Sequence, residues 1–422
     1  MRSILVTNTG DAVHAKALAA RTDIQVTFVT EPRFTDMYPP ETDIVFVDNL
    51  NEPANAARTV IEQRNCNHYE AVISLSERAA QTAAYLRDYL GLEGPSFHTI
   101  TNCTNKFAMK QRFSSAEIPT ADYAIATSLN DIFISAAKIG WPIIVKPIIG
   151  AGADATMIFK DEDELFSKKA ENFFSLLQHP KTTSEKEFPV IVEKFLNVIK
   201  EFHCDGYVEN GKIVFAKVSQ YIKPVIEYTS GGIYGSFTIH PSDPLASEIL
   251  AMHEKAVKAT GIINGVTHFE VFLTPNGLVA GEIACRPGGG GIRKMLKFQS
   301  GFDSWDAHIA VSLGNQYVWE YPEHEEEPQV IELMLPTKRG RVRTISSADD
   351  FNDVPGLLEV DMKLKPGNIV DGLLDSSAIC GILFAHFESQ NDIENIISAV
   401  EKAFVLEVDT SETINNQQEE KK

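Results

Sequence analysis

Short apolar runs separated by helical patterns fill the first hundred residues. SILVTN, QVTFVT, DIVFVD and EAVISL each read as strands, and the segments between them suit crossover helices. Strands alternating with helices predict an α/β domain with a largely parallel sheet over residues 1–100. After EAVISL comes SLSERAAQTAAYLRDYLG, with Ser74 and Glu77 at capping-box spacing, Ala79, Ala83, Leu86 and Leu90 on one face, and Gly91 as the stop. Glu77 then stands in a first helical turn at the carboxyl end of a strand, where open α/β sheets bind ligands. The alternative is that it only caps its helix.

The pattern changes near Ile100. NKFAMKQRFSSAEIP predicts a short amphipathic helix led by Lys106, and GWPIIVKPIIGAGADATMIF a strand, a glycine-bearing turn and a second strand. PVIVEKFL is a further strand, and EFHCDGYVENGKIVFAKV a hairpin with Asn210-Gly211 at its tip. THFEVFLTPNGLVAGEIACR reads as two strands joined by a three-residue loop, Pro275-Asn276-Gly277. That register pairs Thr274 with Leu278, Phe272 with Ala280 and Glu270 with Glu282, and it places Ala284 and Arg286 on the face of Glu282. Beyond Gln329, QVIELMLPTKRGRV and ICGILFAHF predict strands and DIENIISAVEKAF a helix. The expected organisation is an amino-terminal unit over 1–100, a central unit over 101–310 (parts 101–188 and 189–310) and a carboxyl-terminal α+β unit over 311–410. The acidic stretch Glu323 to Pro328 reads as a solvated connector and 411–422 as a disordered tail.

The 422 residues, 44% hydrophobic, are enough for two or three domains. With 58 acidic against 38 basic residues, the formal charge of -20 argues against a broad nucleic-acid surface, so any bound phosphate belongs in a local pocket. No apolar run has the length of a membrane span, and the chain reads as cytoplasmic. Five scattered cysteines without a CxxC pair suggest neither a disulfide framework nor a zinc site.

Candidate chemistry centres on GEIACRPGGGG, residues 281–291. Two directly opposed glutamates repel, so Glu270 and Glu282 call for strong solvation or a cation between them. Magnesium is the natural oxygen-liganded choice, and it usually brings phosphates. The alternatives are a solvated edge hairpin or a shifted register. His203, His240 and His268 suit structural roles, although His268 shares the face of Glu270. Arg293 and Lys294 could steer a carboxylate or cap a helix.

Lys106, IIVKP with Lys146, the small-residue turn from Gly150 to Ala153, VEKFL, Glu201, Glu270 and GEIACRPGG, in this order, resemble the ATP-grasp superfamily. Within it the chain is most similar to the bacterial L-amino acid ligases, which join two amino acids. The resemblance implies an α/β and α+β multidomain architecture: an ATP-grasp fold with an N-terminal parallel-sheet domain and a small C-terminal α+β unit. It assigns Lys106 and Lys146 to the ATP phosphates, and Gly150, Ala151 and Gly152 to a lid that lacks the serines common in relatives. Glu193, Lys194, Phe195 and Leu196 would meet the adenine and Glu201 the ribose. Glu270 and Glu282 would hold magnesium, with manganese as an alternative ion. The asparagine common two positions later is Ala284 here. Arg286 would stabilise the transferring phosphoryl group. Glu77, His268, Arg286 and Gly288, Gly289, Gly290 and Gly291 would form the substrate side, the glycines leaving a roomy acceptor site.

The implied activity is ATP-dependent amide formation between two amino acids through an acyl phosphate, releasing ADP and phosphate. The expected partners are small-molecule amino acids, with no nucleic acid and no membrane, and a homodimer is compatible. The rival readings are a ligase using a non-amino-acid carboxylate and a catalytically silent nucleotide-binding module.

Overall fold

The computed structural model describes residues 2–150, 156–167, 189–230, 232–320, 328–371 and 378–409. The expected connector over 323–327, the lid residues Ala151 to Ala153 and the tail lie outside these.

The first four apolar runs form one parallel sheet in the order Ile44–Phe46, Ile24–Thr30, Arg2–Thr7, Tyr69–Ser74. Helices cover both faces, which is why Ile4, Leu5 and Val6 are consecutive yet all fully buried. The helix Glu77–Leu90 follows the edge strand and ends at Gly91, whose φ of 67° is the left-handed conformation expected at a helix stop. Its N-cap is Ser76 and not Ser74, so the capping-box reading is off by two positions. The Ser74 hydroxyl donates instead to the Ser76 carbonyl, at 2.9 Å.

A second, four-stranded antiparallel sheet has the order Tyr123–Ala126, Val190–Lys194, Ile143–Pro147, Met157–Phe159. VEKFL thus begins in the middle of the sheet that carries Lys146, and the boundary read between 188 and 189 separates hydrogen-bonded neighbours. The third sheet is antiparallel and eight-stranded: Gly277–Ala284, Gly265–Thr274, Lys200–Glu209, Lys212–Tyr221, Tyr234–Thr238, Gln329–Pro336, Ile379–Phe387, Leu357–Met362. Its last three strands come from beyond residue 310, so that boundary does not fall at a break in hydrogen bonding either. A short three-stranded sheet, Ile369–Val370, Gly340–Ile345, Leu406–Asp409, completes the fold. Asn210 (φ 50°) and Gly211 (φ 74°) form the expected two-residue hairpin turn.

The glutamate hairpin differs from its expected register. Thr274 pairs with Gly277 and Phe272 with Val279, so the loop has two residues, Pro275-Asn276, and the pairing near the tip is shifted by one. A β-bulge between the Val271–Ala280 and Phe269–Ile283 pairs then sets Gly281 and Glu282 together against Glu270. The extra residue restores the two glutamates to neighbourhood that the shorter loop would have removed.

Candidate active site

Between the four-stranded sheet and one end of the eight-stranded sheet is a cavity of about 600 Å³. Lys106, Lys146, Glu193, Glu201, Glu270 and Glu282 all line it. Gly150, Lys194, Phe195 and Leu196 lie on the same walls.

Lys106 opens the helix Lys106–Ser115, where Asn105 caps by accepting from the Ala108 amide. Its Nζ donates to the Gly150 carbonyl at 2.6 Å and stands 3.1 Å from Glu282 Oε2. Lys146, on Ile143–Pro147, reaches the other Glu282 oxygen at 3.7 Å and Glu193 at 3.5 Å. Burial opposes the charge on Lys146, but Glu193, Glu282 and Glu270 outweigh it and hold the ammonium above its usual range.

Glu193 is nearly inaccessible, and Lys110 Nζ lies 3.3 Å from its Oε2. Burial raises the Glu193 carboxyl, yet Lys110 and Lys146 together bring it down to about 2. Its carboxylate is therefore a counter-ion between two lysines and not free to meet a base edge, the role the resemblance implies for it. Lys110 was not anticipated, although it lies one helical turn after Lys106 on the same face. The Lys194 ammonium turns away to the carbonyls of Gly140 (3.1 Å) and Trp141 (2.8 Å).

Glu201 accepts from the Val225 amide at 2.8 Å. Burial, reinforced by Glu270, pushes its carboxyl up to about 8. Glu270 and Glu282 keep 29% and 28% of their side chains exposed, so both present oxygens to the cavity. Oxygen-only donors beside phosphate-sized space and two ammonium groups that these carboxylates hold in place fit a hard divalent cation carrying a polyphosphate. Ala284 pairs with His268 and offers no ligand atom.

Arg286 lies outside the cavity walls, just past the strand Gly277–Ala284. Its Nε donates to Glu77, and Nη1 to the Pro287 carbonyl at 2.7 Å. Burial opposes the guanidinium charge, but Glu77, and beyond it Glu270, keep it raised. Glu77 thus anchors this arginine from the parallel-sheet unit. His268 hydrogen-bonds Asp205, His203 is buried in the same network, and His240 meets Ser242 at the surface.

The glycine run is less open than expected. A Cβ on Gly288 would sit 2.9 Å from Asp205 Oδ1 and His268 Nδ1. One on Gly290 (φ 63°) would sit 3.1 Å from Met334 Sδ, and one on Gly291 only 2.2 Å from Glu332 Oε2. Three of the four glycines make room for protein side chains; Gly289 alone faces open space within 4 Å. Arg293 and Lys294 are engaged within the protein: Arg293 makes a bidentate pair with Asp303 at 2.7 and 2.9 Å, and Lys294 pairs with Glu359.

A family model described as an ATP-grasp domain matches residues 139–294, and one described as L-amino acid ligase C-terminal domain 2 matches residues 333–409. With this fold and this cavity, the chain carries an ATP-grasp domain followed by an L-amino acid ligase C-terminal domain, the make-up of an ATP-dependent carboxylate-amine ligase. Among its relatives, an L-arginine-specific L-amino acid ligase of Bacillus subtilis is 29% identical over 397 residues, 93% of each chain. Dapdiamide A synthase of Enterobacter agglomerans is 23% identical, over 78% of this chain and 77% of that one. In fold, it matches the crystal structure of an L-amino acid ligase from Bacillus licheniformis with a TM-score of 0.75 at 17% identity, over 97% of this chain and 99% of that one. It also matches the MgADP-bound biotin carboxylase domain of a Hydrogenobacter thermophilus carboxylase with a TM-score of 0.67 at 17% identity, over 96% and 90%. Among the described residues, no helix is long and apolar enough to cross a membrane.

Proposed function

We propose that the chain joins two amino acids into a dipeptide at the expense of ATP. The observation that carries this reading is the convergence of Lys106 and Lys146 with Glu270 and Glu282 on one cavity, with Arg286 beside it. The carboxylate oxygen of the first amino acid attacks the γ-phosphorus of ATP, and ADP leaves. The amine of the second attacks the acyl phosphate, losing a proton, and phosphate leaves from the new amide.

Phosphoryl transfer of this kind depends on placing reactants and neutralising charge, more than on a protein nucleophile. Lys106 and Lys146 are held on fixed elements and meet the phosphates as point donors. Glu201 meets the ribose, and backbone groups from Lys194 to Leu196 meet the base. Glu270 and Glu282 would hold magnesium, which supplies charge neutralisation along the phosphate chain when bound. Arg286 stabilises charge on the transferring phosphoryl group. The test is phosphate release across a matrix of amino-acid pairs, with mass spectrometry of the products. Turnover without a dipeptide in any pair overturns the amino-acid reading while leaving ligase chemistry intact.

A further inference from the structure

Behind Glu270 runs a buried polar chain for which the proposed chemistry has no use. His268 precedes Glu270 by two residues on Gly265–Thr274, with Nε2 3.7 Å from Glu270 Oε1 and Nδ1 2.9 Å from Asp205 Oδ1. Asp205 lies directly opposite His268 on Lys200–Glu209, and its other oxygen bonds His203 Nδ1 at 2.6 Å. His203 Nε2 continues to the Ser236 hydroxyl at 2.9 Å, and Ser236 to Glu332 Oε1 at 3.0 Å. Asp205, His203, Ser236 and Glu332 are each no more than 1% exposed.

Burying such a chain is costly unless every member is paired, and apolar residues would fill the same space at least as stably. What the network provides is direction. The Asp205 bond at Nδ1 fixes the imidazole plane, so Nε2 can face only Glu270, as carboxylates orient the histidines behind metal sites. The same pair also supports the loop after Arg286, because the backbone of Gly288 lies where any Cβ would be 2.9 Å from both Asp205 Oδ1 and His268 Nδ1.

We propose that Asp205 and His268 are positioning residues that hold the Glu270 carboxylate in the orientation that receives the magnesium–nucleotide complex. This rests on the reading of Glu270 as a metal carboxylate. It also moves His268 from the substrate side to a supporting role.

Calorimetric titration with ADP, at a series of magnesium concentrations and in its absence, separates the two claims. If magnesium does not tighten ADP binding to the wild type, the metal assignment itself fails. If it does, Asp205→Asn and His268→Gln are expected to raise the magnesium concentration for half-maximal tightening by about 10–100-fold. Magnesium-free ADP affinity should stay within about twofold. Gly288→Ala, which presses on the same pair from the loop, should shift magnesium dependence in the same direction, and it carries the test with His268→Gln if Asp205→Asn does not fold. Folded variants with wild-type magnesium dependence, or with equal losses with and without magnesium, overturn the proposal. So does a stoichiometric transition metal in the purified wild type that disappears in Asp205→Asn, because His203, Asp205 and His268 also have metal-ligand spacing.

Discussion

Arg286 donates through Nε to Glu77 across 209 positions of sequence, so the guanidinium beside the cavity proposed for the nucleotide is oriented by the first residue of a helix in another unit. A planar fork held in this way can stabilise charge that develops during transfer without first reorganising. Arg286→Lys keeps the charge and loses the fork. We expect kcat to fall by about 10²–10³ with nucleotide affinity changed far less. Steady-state kinetics together with ADP titration check it; an unchanged kcat removes Arg286 from the chemistry.

Chromatography of the spent nucleotide follows directly from the acyl-phosphate route. ADP is expected in a one-to-one ratio with dipeptide. Stoichiometric AMP would show transfer of the adenylyl group instead, and would require a different placement of the first carboxylate relative to the triphosphate.

Lys110 shares Glu193 with Lys146, at 3.3 and 3.5 Å. Removing Lys110 leaves Lys146 as the closest partner of this buried carboxylate and draws it away from the phosphates. Lys110→Met is therefore expected to raise the KM for ATP by about 10-fold, the scale of one lost charge-assisted bond, with a smaller fall in kcat. Equal KM values would show that Lys146 does not depend on how its counter-ion is shared.

The Glu193 carboxyl, opposed by burial but lowered to about 2 by Lys110 and Lys146, lies below its unfolded value of 4.5. It therefore contributes stability that is present above about pH 4.5 and lost as pH falls towards 2. Urea unfolding of wild type and Glu193→Gln should show a gap of about 3–5 kcal/mol at pH 7, the usual cost of breaking a buried pair, and the gap should close across that window. A gap independent of pH would mean the carboxylate is not the stabilising form.

What the sequence made legible follows its local signals. Alternating runs located most strands but missed Tyr123–Ala126, Tyr234–Thr238, Leu357–Met362, Ile369–Val370 and Leu406–Asp409, and of the residues in the ordered motifs Lys106, Lys146, Glu193, Glu201, Glu270 and Glu282 line one cavity. The hairpin loop differs from the expected one because Pro275-Asn276-Gly277 suits two loop lengths, and only the bulge at Gly281 and Glu282 decides which residue faces Glu270. Asp205 and Glu332 were invisible for a different reason. A buried acid is defined by its partners, and the ones that matter here lie on other strands, His268 for Asp205 and Ser236 for Glu332, so a single strand's pattern does not reveal them. The sharing of strands across residue 310 was hidden in the same way, because composition marks a linker but not sheet continuation.

The four glycines give the last test, since their crowding differs sharply from one to the next. A Cβ at Gly291 would lie 2.2 Å from Glu332 Oε2 and 2.9 Å from the Phe384 ring, both fully buried, so neither can give way cheaply. Gly291→Ala should cost about 1–3 kcal/mol, the usual penalty of overpacking, and lower the melting temperature by several degrees. Gly289 is exposed and its Cβ would meet nothing within 4 Å, so Gly289→Ala should leave the melting temperature unchanged. Position 289 is accordingly where bulk can be added without disturbing the core. Gly289→Trp is expected to penalise a large amine acceptor relative to a small one by about 10-fold in kcat/KM, the scale of a few misfitted methylenes. Thermal unfolding and kinetics with glycine and a bulky amino acid as acceptors measure both halves. Equal melting temperatures for the two alanine variants would contradict the packing of Glu332 beneath the loop. An unchanged acceptor ratio in Gly289→Trp would show that the open side of this loop is not part of the acceptor site.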